Sequence, residues 1–155
     1  LPHFDLSPGY WSTRVTLSNE SAEATDVDLT AFDNTGTEIE MATVTIPPGG
    51  GMSDLLGNLF TTTLPSSGWI KVGSQTNLVT GLMTFQYLPT GGSTSMPLTY
   101  TSGSKLVFPL IEYVDGRSTG FAVINVGPEA IELDLQLTRM SGSSLATMSD
   151  TLEPG

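Results

Sequence analysis

Residues 118–155 repeat residues 12–49 without a gap, and eleven of the 38 aligned positions are identical. About two or three would match by chance, so any fold for this chain has to use one strand pattern twice. The matches pair Ser12 with Ser118, Thr13 with Thr119, Asn19 with Asn125, Glu23 with Glu129, Ala24 with Ala130 and Asp28 with Asp134. They continue through Leu29 with Leu135, Gly36 with Gly142, Thr45 with Thr151, Pro48 with Pro154 and Gly49 with Gly155.

Inside the repeat the apolar residues recur every second position. In the second copy Ile131, Leu133, Leu135 and Leu137 alternate with Glu132, Asp134, Gln136 and Thr138. In the first copy Val27, Leu29 and Ala31 alternate with Asp26, Asp28 and Thr30. Such alternation predicts a strand with one buried face and one wet face. The strand before it alternates in the same way: Trp11, Thr13, Val15 and Leu17 against Ser12, Arg14, Thr16 and Ser18. Phe121 and Val123 stand in for Val15 and Leu17 in the second copy. The turn residues of "NES" and "NVGPE" predict that these two strands form a hairpin. A third strand is expected between "DNTG", with Gly36 at the positive-φ position of a tight turn, and "IPPGG".

Between the copies, "SDLLGNLF" offers Ser53 as an N-cap and Leu55, Leu56, Leu59 and Phe60 on one side, which predicts a short helix. "GWIKVGS", "LVTGLMTFQYL" and "STSMPLTY" read as strands. The division is therefore residues 1–50, a first β half-repeat; 51–107, the short helix with further strands; and 108–155, a second β half-repeat. With 17 Gly, 10 Pro and only 14% charged residues, the composition suits a turn-rich β protein. The predicted fold class is all-β: an antiparallel, jelly-roll-like β-sandwich with one short helix, built from about one and a half copies of the repeat.

The succession "WSTRVTLSN", acidic alternating strand, "DNTG", "IPPGG", "LLGNLF" and "GWIKV" resembles the tandem β-sandwich repeats of bacterial secreted and surface proteins. The resemblance spans the chain and rests on structural motifs, with Arg117 in place of Trp11 in the second copy. It implies a stalk, adhesion or fibre module outside the cell, and it brings no catalytic residues.

The 48 residues of the second half-repeat are too few to bury a core unaided, so Ile131, Leu133, Leu135 and Leu137 form an exposed sheet that something must cover. Residues 51–107 can complete either copy, which leaves the other half-repeat in surplus. Both half-repeats can instead share one eight-stranded sandwich, or the second half of one chain can join the first half of the next. That last contact is heterologous, and if it does not close it makes a filament. A sequence cut short is the alternative. The predicted role is thus a structural subunit of an extracellular bacterial fibre or surface assembly that polymerises head to tail. A non-catalytic module for polysaccharide or adhesion, from a larger secreted protein, is the second expectation.

Residues suited to chemistry are few. Five Lys and Arg against sixteen Asp and Glu give a net charge of −11, which repels nucleic acid and anionic lipid. No apolar run approaches the roughly 18 residues that cross a bilayer. The chain opens at Leu1 with no charged-then-apolar leader, as expected where a leader has been removed. Without Cys and with His3 as its one imidazole, it offers neither a thiolate nor a zinc set, and no enzyme is expected. Paired carboxylates at Asp26 and Asp28, or Glu132 and Asp134, fall on a solvated strand face where they discourage sheet aggregation. Asp33, Asn34 and Glu38 could give oxygen to calcium, the one cofactor considered, although the spacing is not that of a calcium loop. Trp69 has the parity of an outward residue beside Lys71, so Trp69 and Tyr10 are candidate interface or glycan contacts. Trp11 has the parity of the core. Asn19 in "NES" fits a glycosylation sequon.

Overall fold

The computed structural model describes residues 1–99, 103–108, 111, 113–114 and 117–154. Among them the chain forms two compact units, Leu1–Ala122 and Val123–Gly155.

The first unit contains β1 (Phe4–Asp5), β2 (Trp11–Asn19), β3 (Thr25–Phe32), β4 (Glu38–Ile46), β5 (Gly51–Leu55), β6 (Ser67–Ser74), β7 (Val79–Tyr87) and β8 (Gly92–Pro97). They build two antiparallel sheets of four strands, in the orders β1-β6-β3-β4 and β5-β2-β7-β8. β2 and β3 alternate in burial, and the apolar rows make one core: Val15 and Leu17 from β2, Val27, Leu29 and Ala31 from β3, Ile70 from β6, Met83 and Phe85 from β7. A full burial of such a side chain is worth about 1.5–3 kcal/mol, so this set supplies most of the driving force for the unit. Two short strands, β9 (Tyr113–Val114) and β10 (Arg117–Ser118), pair with each other. The fold is an all-β antiparallel sandwich. β5 and β7 pair with β2, β6 pairs with β3, and β8 pairs with β7.

Several expectations are corrected. "NES" closes no hairpin: β2 pairs with β5 and β7 while β3 pairs with β4 and β6, so the chain crosses from one sheet to the other at Asn19–Thr25. Turn chemistry sets the bend but not the sheet in which the next strand lands. The expected helix is a single 3-10 turn, Leu56–Asn58, with no side-chain cap. Ser53 belongs to β5 instead, and its hydroxyl lies 2.9 Å from that of Thr16 on β2. Only Leu56 and Phe60 of the expected apolar side are buried, while Leu55 is exposed. "STSMPLTY" does form a strand, β8, but its final residue Tyr100 lies outside the described residues.

The second unit contains β11 (Ile131–Thr138) and β12 (Ser144–Leu152), an antiparallel two-stranded sheet. The strand expected around Phe121 and Val123 is absent: residues 119–124 have no regular structure. Its counterpart β2 is paired along both edges, by β5 and β7. Among the described residues no strand pairs with 120–124.

Candidate functional site

The pairing of β11 with β12 follows that of β3 with β4 residue by residue. Thr25↔Ile46, Asp28↔Thr43 and Leu29↔Ala42 correspond to Ile131↔Leu152, Asp134↔Ser149 and Leu135↔Met148. The irregularity between Ala31 and Phe32 recurs between Leu137 and Thr138. Gly36 and Gly142 turn the two hairpins at φ 80 and 87°, in the left-handed region that glycine adopts freely. On the wet faces Thr43 donates its hydroxyl to Asp28 at 2.7 Å and Ser149 donates to Asp134 at 2.6 Å.

A buried asparagine anchors the start of each hairpin. Asn19 Nδ2 donates to the carbonyls of Glu23 and Ile46 at 2.8 and 3.1 Å, and its Oδ1 accepts the Ser21 N–H at 3.0 Å. Asn125 Nδ2 donates to Glu129 and Leu152 at 2.7 and 3.1 Å, and its Oδ1 accepts the Gly127 N–H at 3.0 Å. The side chain thus ties the bend to the far end of the hairpin and satisfies its own polar atoms on backbone groups. Asn19 is 0% exposed, so the sequon is not available to a glycan in the folded protein. Sequence reasoning missed this role, although the identity of Asn19 and Asn125 was the signal for it.

The two hairpins differ in what surrounds them. β3 has β4 on one edge and β6 on the other, and Val27, Leu29 and Ala31 are fully buried. β11 has only β12 among the described residues. Of its apolar row Ile131 is 45% and Leu137 41% exposed, and Met148 opposite Leu135 is 57% exposed. Leu133 and Leu135 are half-buried. Asp150 occupies the place that Val44 holds in the first unit, opposite Leu133.

The aromatic candidates separate. Trp69 is only 8% exposed, because its cross-strand partner Phe32 lies on the same outer face and stacks on it, ring centroids 4.1 Å apart and 5° from parallel. This corrects the expected exposure. Tyr10 is exposed. Trp11 is half-buried and packs against the core, in tilted contact with Tyr87 at 5.0 Å. His3 stacks on Phe85 at 5.8 Å.

The acidic loop is organised by its own donors. Asp33 Oδ1 accepts the Thr35 hydroxyl and the N–H groups of Thr35 and Thr37 at 2.7–3.0 Å. These bonds, the Thr35 hydroxyl first, hold its carboxyl below the usual range. Glu40 on β4 accepts the Thr61 hydroxyl at 2.7 Å and the N–H groups of Thr61 and Thr62 at 3.1 and 2.7 Å. They lower its pKa from 4.5 to about 2. Among the described residues no three His, Asp or Glu side chains are grouped to hold a metal ion, and no helix is long and apolar enough to cross a membrane. A shallow depression lined by Leu6, Pro8, Phe60 and Leu64 with Thr61–Thr63 contains no carboxylate, imidazole or amine.

Among the described residues the β11–β12 hairpin has no third strand. Comparison with protein-family models, with curated proteins and with solved structures finds no match for this chain.

Proposed function

We propose that this protein is a structural, non-catalytic subunit of an extracellular bacterial fibre or surface assembly, polymerising head to tail through its related β half-repeats. One observation carries the reading. The β11–β12 hairpin has the register of β3–β4 yet keeps two strands and an exposed apolar row. A two-stranded sheet of this kind is marginal in water, and an open edge is a template for strand addition. Among the described residues, the carboxylates of Asp28, Asp26 and Asp134 accept the hydroxyls of Thr43, Thr45 and Ser149 on the wet strand faces.

Light scattering with negative-stain imaging of the purified chain tests it. Long particles with an axial repeat of one subunit are expected; a monodisperse monomer over a wide concentration range overturns the reading.

A second reading, a polysaccharide-binding module, is favoured by exposed Tyr10 next to the Trp11–Tyr87 pair. Aromatic faces stack on sugar rings, so Tyr10→Ala should abolish retardation in polysaccharide gels if that reading holds.

A further inference from the structure

We infer that the edge of β11 away from β12, which has no neighbour among the described residues, accepts an extended antiparallel peptide segment with the pattern of β6, aliphatic–lysine–aliphatic–glycine, supplied from outside the sandwich. The inference goes beyond the fibre reading and does not depend on self-assembly, since the segment comes from outside the folded sandwich.

The first unit contains the template. Along the edge of β3 that faces away from β4, β6 pairs in the register Val27↔Ser74, Asp28↔Gly73, Leu29↔Val72, Thr30↔Lys71, Ala31↔Ile70 and Phe32↔Trp69. β11 matches β3 in its pairing with the neighbouring strand, in the position of its irregularity and in its asparagine anchor. Its backbone is thus already shaped for the same neighbour. Carried over, Asp134 faces the glycine position, Leu135 the valine, Gln136 the lysine and Leu137 the isoleucine.

Side-chain chemistry agrees with this register. The two aliphatic residues of the segment would fall on the face of Leu135 and Leu137, where exposed apolar area remains to be buried. The lysine would fall on the opposite face, diagonal to Asp134 in a row that also contains Glu132, and opposite charges on one sheet face attract. The tryptophan position differs: it would meet Thr138 where Trp69 meets Phe32, so the stacked ring pair has no counterpart and the position tolerates other residues.

β6 of a second folded copy is not the donor. It is held on both edges, by β3 and by β1, and its Ile70 is fully buried. Removing it would open the core that it fills.

The test joins a copy of residues 50–74 directly after Gly155, so that the copied strand follows β12 at the spacing with which β6 follows β4. Hydrogen exchange is read at the β11 amides that point away from β12. Protection at least about tenfold above that of the same extension with Ile70→Pro in the appended copy is expected, since proline removes the ladder donor. The free peptide SGWIKVGS, added in excess to the unextended chain, should shift the amide signals of residues 132–138. Equal exchange in both extensions, or no shift with the peptide, overturns the inference. Light scattering of the unextended chain separates the two readings. Protection in a chain that stays monomeric keeps the strand inference and removes the fibre. Particles without protection keep the fibre and move its joint to another surface.

Discussion

Asn19 and Asn125 do the same work in different surroundings, and that difference makes them informative. Asn19→Ala would remove the buried donor to the Ile46 carbonyl and leave the Glu23 carbonyl to the Ser21 hydroxyl alone among its close side-chain donors. A loss of about 2–3 kcal/mol in the sandwich's unfolding free energy is expected, measurable by urea denaturation. Asn125→Ala should leave that transition in place and raise exchange only in residues 131–152. Glu40 gives a prediction in pH. Its folded pKa of about 2 lies below the ordinary 4.5, so its stabilisation is complete above pH 4.5 and is lost as pH falls through the window between them. Glu40→Gln should flatten the stability profile in that window, and an unchanged slope would remove the carboxylate from the account. No sequence signal pointed to this clamp, because Glu40 and Thr61 are joined only by the packing of a loop on an edge strand.

Strands such as β3 and β11 were legible as elements because burial on one face writes itself as alternation. What alternation cannot show is what lies on the other face. Trp69 reads as outward and is outward, but Phe32 opposite it removes the indole from solvent. The sheet assignment of β2 and β3 was equally hidden, since both strands have a single apolar face whether they lie side by side or across a core. Gly68 marks the same crowded corner: a Cβ there would collide with the Phe32 carbonyl and come within 2.8 Å of the Phe4 ring. Gly68→Ala should cost about 3 kcal/mol, seen as a lowered thermal midpoint, while Trp69→Ala should cost a similar amount through the lost stack.

At the scale of the molecule the two units differ in how they meet the requirement to bury apolar surface. The first has a core drawn from six strands, whereas in the second Asn125 is the only buried residue among those described. The sandwich's thermal transition should therefore report its own core. Changing Leu135→Asp and Leu137→Asp together places two charges on the apolar row of β11. If the hairpin is a joint, this variant should keep the thermal midpoint of the sandwich within a few degrees and lose the large particles, because desolvating two new carboxylates opposes association. A lowered midpoint would mean that the row stabilises the monomer. Unchanged particles would mean that the fibre is held elsewhere.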